Sequence, residues 1–215
     1  MKEVKNLYKF RSFDNWDFVH DIILNERLYC ARFSELNDPC EGVYEVPIGL
    51  QSENGPVILT ESGRLLQIGS QFNTISDFVK SRICCLSSDC NDLRMWAYYG
   101  GNLKGFSIEI SYDKSSPFQK VSYKERLPTA NEVRQNEKEY LKRKLKIWEH
   151  EEEYRTITDQ EFINISESIT SILVGPKIVT KNLDLLKRLV NDKYPIVETE
   201  VDFSRNIVVP KKTLH

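Results

Sequence analysis

The chain has 215 residues, 40% of them hydrophobic and 11% aromatic, with a formal net charge of −2. These values exclude intrinsic disorder and a charge strong enough by itself to hold nucleic acid or an anionic membrane, and they leave room for one large domain or two small ones. The five cysteines, Cys30, Cys40, Cys84, Cys85 and Cys90, are odd in number and sit in apolar contexts, so they argue against a disulfide framework and for a reducing, cytoplasmic setting; no signal core or membrane-length apolar run accompanies them.

In chain order, residues 5–10 alternate as a first strand, with Tyr8 and Phe10 on one face and Leu7 and Lys9 on the other. Asp14 or Asn15 is placed to cap a helix whose apolar positions are Trp16, Val19, Ile22 and Ile23, ended at Asn25. Residues 27–33 read as a second strand. The run Asn37-Asp38-Pro39 to Gly42 is a turn, because proline fixes its own φ and keeps its predecessor extended. Residues 43–74 are poorly patterned, with a short strand expected at 57–59 and a weak helix at 61–69, and a helical turn is expected at 75–80.

The stretch 82–111 is the most legible. Residues 83–87 form a compact apolar strand, Asp89 to Asp92 supply helix-start chemistry, and 93–99 read as a short aromatic helix closed by Gly100 and Gly101. From Gly105 the period is two, with Phe106, Ile108 and Ile110 on one face. Residues 119–124 read as a strand, and 129–150 as the longest helix, with Leu145 and Trp148 on its buried stripe and KEYLKRKLK as a solvated face. Residues 151–158 return to period two, 171–179 are apolar and broken by Gly175-Pro176, and Thr180 is placed to cap a helix with Leu183, Leu186, Leu189 and Val190 inward. Final strands are expected at 196–203 and 207–209. This mixture lacks regular strand–helix alternation, so the expected architecture is a single α+β domain over 1–215, with a largely antiparallel sheet and flanking helices.

Phosphate-loop, dinucleotide-fingerprint, zincin and nucleophile-elbow motifs are absent, and His20, His150 and His215 are the only histidines. Cys85-x4-Cys90 has no nearby histidine and is a poor zinc pattern, so no metal is expected. The best chemical feature is Glu151-x-Glu153: two carboxylates on one strand face can hold a sugar hydroxyl and stabilise a developing sugar cation, or can be a charged strand start paired with Arg155. Arg11 can bind phosphate through its planar fork or pair with an acid. Trp96, Tyr98 and Tyr99 can stack on a planar ring or fill a core.

Four segments, LYKFRS at 7–12, LYCARFSELNDPCEG at 28–42, ICCLSSDCNDLRMWAYYGGNLKGFSIEI at 83–110 and WEHEEEYR at 148–155, together resemble a bacterial family labelled as a domain of unknown function. Its pattern runs LYKYRS, LYFSxPxxFNDPFE, CFSxxxxxxxMWxxYxxxxxGFxIEF and WxxExExR. The chain departs from it at Leu36 and Cys40, where the family has aromatics, and at Tyr98, where it often has histidine. Family members occur in phage-defence and mobile-element settings, which implies a bacterial cytosolic role. A weaker resemblance, to the ADP-ribosyltransferase layout, implies NAD as substrate. Arg11 would then bind its phosphates or ribose and Ser87 would support the site. Trp96 or Tyr99 would flank nicotinamide. Glu153 would stabilise the oxocarbenium-like transition state and Glu151 would position the acceptor. Asn37 and Asp38 would join them as substrate-binding residues.

The expectation is therefore an NAD-dependent ADP-ribosyltransferase-like enzyme, a toxin or defence effector with an unknown macromolecular acceptor, protein or nucleic acid, and no membrane partner. Two alternatives stand beside it. One is a metal-dependent nuclease using Asp38, Glu41, Glu109 and Glu151 around magnesium. The other is a non-catalytic sensor or interaction module.

Overall fold

The computed structural model describes residues 5–47, 58–59, 65–66, 70–74, 80–113, 115–135 and 137–214. Strand β1 (Asn6–Arg11) leads to helix α1 (Trp16–Ile23). Asn15 caps α1 by accepting from the backbone N–H groups of Asp17 and Phe18, and Val19, Ile22 and Ile23 turn inward. Strands β2 (Arg27–Tyr29) and β3 (Ala31–Arg32) follow. They belong to different sheets, so the one strand expected at 27–33 is broken in two and ends in a 3-10 turn, Phe33–Glu35.

Strands β4 (Val43–Pro47), β5 (Ile58–Leu59), β6 (Leu65–Leu66) and β7 (Ser70–Thr74) form two small antiparallel pairs, β4 with β7 and β5 with β6. The short strand at 57–59 is found as β5. The helix expected at 61–69 contains β6 instead, and the helical turn at 75–80 lies outside the described residues but for its last. Strand β8 (Arg82–Ser87), helix α2 (Leu93–Tyr98) and strand β9 (Phe106–Ser111) match the expected central stretch, with Asp92 capping α2.

The largest difference lies after strands β10 (Gln119–Lys120) and β11 (Ser122–Lys124), which divide the strand expected at 119–124 between two sheets. The expected long helix at 129–150 is two short ones, α3 (Ala130–Gln135) and α4 (Glu137–Tyr140). The chain then extends as β12 (Arg143–Leu145) beside β11 and turns through a 3-10 segment, Lys146–Glu151. The basic run that resembled one solvated helical face thereby sends Lys144 into the interior. Trp148 and Leu145 are only half-buried, so they are not the core anchors that a continuous helix would make them.

Strands β13 (Glu153–Thr158), β14 (Phe162–Asn164) and β15 (Ile169–Val174), helix α5 (Thr180–Val190), and strands β16 (Ile196–Asp202) and β17 (Ile207–Leu214) complete the chain. Val179, not Thr180, occupies the cap of α5. The architecture is α+β. The main sheet runs β10-β13-β8-β1-β9-β15-β16-β17, with β3 added to β8, and only β15 and β16 in it pair in parallel. One face, including Leu7, Ile108 and Ile172, packs under α1 and α5. The other carries Phe10, Leu173 and Val208 against Met95 and Trp96 of α2.

Pairing along β1 is unequal, and this opens the site. With β9 it pairs from Asn6 to Arg11, but with β8 it meets at the single register pair Tyr8–Ser87. Beyond that point β1 and β8 part. The far side of β1 is held rigidly: a Cβ on Gly105 would lie 2.1 Å from the Arg11 carbonyl oxygen, and one on Gly101, at φ +55, would lie 2.7 Å from Ser12 Cβ. Only glycine lets the loop after α2 seat this closely on the end of β1.

Trp96 is fully buried, edge-on to Phe10 at 5.1 Å, with its indole N–H donated to the Cys90 carbonyl. Trp96→Ala is expected to cost about 3–5 kcal/mol in urea denaturation. Trp148→Ala is expected to cost clearly less, and equal losses would contradict this assignment of the core.

Candidate functional site

The gap between β1 and β8 opens into a cavity of about 710 Å³. That lies in the range of small-molecule and cofactor sites, roughly 300–1,000 Å³. Its wall contains Arg11, Asn37, Ser87, Tyr99, Glu151 and Glu153, brought together from five separate segments. Lys9 spans the gap, donating through Nζ to the Cys85 carbonyl oxygen at 2.7 Å.

The carboxylate side is one connected network. Asn37 Nδ2 donates to the Tyr99 hydroxyl at 3.2 Å, and Tyr99 donates to Glu151 Oε1 at 2.7 Å. Lys144 Nζ bridges Glu151 at 2.5 Å and Glu153 at 3.2 Å. Arg155 Nε donates to Glu153 Oε1 at 2.7 Å, and its two terminal nitrogens grip Glu41 at 2.6 and 2.9 Å. Ser87 Oγ donates to the Glu151 carbonyl at 2.7 Å, tying β8 to the acidic turn. Glu153 and Arg155 share a face of β13, as expected. Glu151 does not belong to the strand: it ends the 3-10 turn, and Glu152 follows in left-handed conformation at φ 40. The turn, rather than strand alternation alone, brings Glu151 back to Lys144.

Burial alone would raise Glu153, but Arg155 and Lys144 outweigh it and hold the carboxyl at about 2. Burial wins at Glu41, which is raised in spite of its two bonds to Arg155. Burial also opposes the charge on Lys144, yet Glu153, Glu151 and Glu41 hold it above the usual lysine value.

The cation side is different in kind. Arg11 Nε is buried without a hydrogen-bond partner. Desolvation lowers both Arg11 and Lys9, and neither makes an ion pair among the described residues. The guanidinium of Arg11 lies over the Phe18 ring at 5.0 Å. From there Phe18, Tyr29 and Phe162 continue the wall.

Two expected site residues lie elsewhere. Trp96, with no exposed surface, cannot flank a ligand ring. Asp38 is buried in its own turn, accepting from Cys40 N at 2.9 Å, and faces a separate small cavity. The four acids of the nuclease alternative do not converge either. Glu109 is bonded by Asn6, Tyr8, Thr170 and Ser171 on the opposite face from Leu7, while Glu41 is committed to Arg155. Among the described residues no three histidine, cysteine or acidic side chains gather to hold a metal, and no helix is long and apolar enough to cross a membrane. Lys9, Lys144 and the rings of Phe18, Tyr29 and Phe162 escape sequence reasoning. Lys9 had a legible face but no chemical motif, and Lys144 was hidden in a basic run of helical appearance. Compared with family models, curated proteins and solved structures, the chain matches none.

The depressed Glu153 carboxyl makes stability dependent on acid. Its contribution is complete above the usual value of 4.5 and is lost as pH falls from there through about 2. That is about 3 kcal/mol for the full window. Glu41, raised, acts with the opposite sign and softens the acid limb. Urea denaturation between pH 7 and pH 3 is expected to give a steeper loss for the wild type than for Glu153→Gln. Parallel curves would remove Glu153 from the ionic network.

Proposed function

We propose that the cleft binds NAD and that the protein is an ADP-ribosyltransferase-like enzyme, modifying a macromolecular acceptor, protein or nucleic acid, in the toxin or phage-defence setting that the resemblance implies. One observation carries this reading: Arg11 is a guanidinium without an anion among the described residues, shielded from water at Nε, in the same cavity as the linked carboxylates Glu151 and Glu153. A cation half-withdrawn from water and left without an anion costs folding free energy, so its retention points to a ligand that neutralises it. Lys9 and Arg11 offer two positive charges, equal to the two negative charges of a pyrophosphate, and the arginine fork fits phosphate oxygens.

The carboxylate side has the complementary charge. Glu41, Glu151 and Glu153 against Lys144 and Arg155 leave one net negative charge when all five are ionised. In the transfer, the bond from ribose C1′ to the nicotinamide nitrogen breaks and its electron pair leaves with the nicotinamide, which becomes neutral. The sugar cation left behind is stabilised by the fixed negative field. The acceptor's lone pair then forms the new bond to C1′, and the acceptor proton is lost. On this reading Glu153 supplies the field and Glu151 positions the acceptor. Tyr99 takes the ring-flanking role that Trp96 cannot reach. Asn37 orders Tyr99.

A second reading, a recognition module that holds a nucleotide without turning it over, is favoured by one feature: both Glu153 oxygens are already bonded by Arg155 and Lys144. Incubation with adenylate-labelled NAD and cell lysate separates the two. The enzyme is expected to release nicotinamide and transfer label, and binding of NAD with neither event would leave only the module. Arg11→Met is expected to weaken NAD binding by roughly 10-fold or more. It is also expected to leave the melting temperature equal or higher, because it removes a half-buried charge with no ion pair among the described residues. A melting temperature lowered by several degrees would mean that Arg11 has a structural partner.

A further inference from the structure

Beyond Arg11, the cavity wall carries three rings from three elements, Phe18 on α1, Tyr29 on β2 and Phe162 on β14, with the polar side chains of Asp17, Asp21 and Glu35 beside them. Phe18 and Tyr29 have centroids 5.6 Å apart and planes tilted by 38°, and Tyr29 meets Phe162 at 5.7 Å, opposite it in the β2–β14 register. None of the three belongs to the packed cores, and each is only half-buried. They differ in this from Phe10, Phe106 and Trp96, which fill core space. The orientation of Tyr29 is fixed by donation from its hydroxyl to Glu35, also on the wall, at 2.7 Å and from Arg82 to that hydroxyl at 3.2 Å. Arg27 covers Phe162 at 3.9 Å. The rings are thus held in place by polar groups rather than by burial.

We infer that this aromatic lobe is a nucleobase site, taking the adenine end of the dinucleotide whose phosphates lie on Lys9 and Arg11. The inference rests on the reading that the carboxylate end of the same cavity faces the nicotinamide ribose. The sequence of chemistries along the wall is linked carboxylates, then two cations with no ion pair among the described residues, then aromatic planes flanked by Asp17, Asp21 and Glu35. It is the sequence a dinucleotide presents in complement: a glycosidic carbon that becomes cationic, a pyrophosphate and a planar base. A base stacks on aromatic and guanidinium planes without needing a hydrogen-bond code, and Arg11, lying over Phe18, joins the cation zone to the aromatic zone.

The test is calorimetric titration of the full chain with ADP, nicotinamide mononucleotide and NAD. Wild type is expected to bind ADP. Phe18→Ala, which removes no core residue, is expected to weaken ADP and NAD by about 10- to 100-fold, the usual effect of losing one base–aromatic stack, and to leave nicotinamide mononucleotide unchanged. Phe162→Ala serves as the second variant, with melting curves to establish that both remain folded. Unchanged ADP affinity in both folded variants would overturn the base site, as would an equal loss for nicotinamide mononucleotide. The two proposals fail separately. ADP binding that depends on Phe18, in a protein that never releases nicotinamide, keeps the base site and removes the transferase. Nicotinamide release with ADP binding indifferent to both rings does the reverse.

Discussion

The interior of this protein depends on one cation. Arg155 is almost wholly buried, and it joins three segments that no sheet register connects. Its side chain stands on β13, grips Glu41 from the turn after Pro39, and donates to the Leu141 carbonyl oxygen at 2.9 Å just after α4. Taking a guanidinium out of water costs several kcal/mol, and the cost is recovered only when the donors are nearly all bonded. Here Glu153, Glu41 and a backbone carbonyl do that. Removing one partner leaves a buried charge uncompensated, typically a loss of about 3–5 kcal/mol, so the arrangement stands or falls as a unit. Lys144 extends the same logic to Glu151, and Tyr99 carries it to Asn37 at the cavity rim. The carboxylates are therefore fixed before any ligand arrives.

The split sheet and the charge network are two aspects of one construction. β8 and β13 pair along their full lengths, and β1 and β9 do the same, so each half is rigid. Between the halves only Tyr8 and Ser87 stand in register. Ser87 also holds the Glu151 carbonyl, so the residue at the apex of the gap positions the acidic wall. On the other bank, Gly101 and Gly105 press a loop against the end of β1 and fix the backbone from which Arg11 projects. The cavity is lined by strand ends and adjoining turns set by close backbone approach, a placement typical of functional sites.

Legibility in the sequence followed the physics of each segment. Where the pattern was local and strong, at 83–111, the strand, capped helix, glycine turn and alternating strand could be read directly, because burial on a regular face imposes its own period. The α+β class followed from the same patterns. The region 129–150 was misread because its apolar residues fit a helical stripe by spacing alone, whereas Leu141 and Lys144 are inward in a chain that has already left the helix. Periodicity cannot register a buried lysine, since the reason for its burial is a pair of carboxylates further along. At Trp96 the sequence presented an aromatic among aromatics, and only the packing against Phe10 separates it from Tyr99, three residues later and on the cavity wall. Asn37 and Asp38 divide for a related reason: one side chain faces the rim while the other closes its own turn.

The two kinds of charge in the cavity carry opposite meanings. Glu153, Arg155, Lys144 and Glu41 neutralise one another within the protein, and folding alone accounts for their places. Arg11 and Lys9 are not accounted for in that way. Desolvation disfavours the charge on each, their mutual repulsion adds to the cost at Lys9, and the acids nearest to them are held by other cations. An apolar residue at position 11 would relieve that cost and still lie against Phe18. Stability is thus surrendered on one bank of the cleft and recovered on the other. The difference between the banks is a field, positive at Lys9 and Arg11 and negative at Glu151 and Glu153; on the proposed reading the first would meet the phosphates and the second the breaking glycosidic bond.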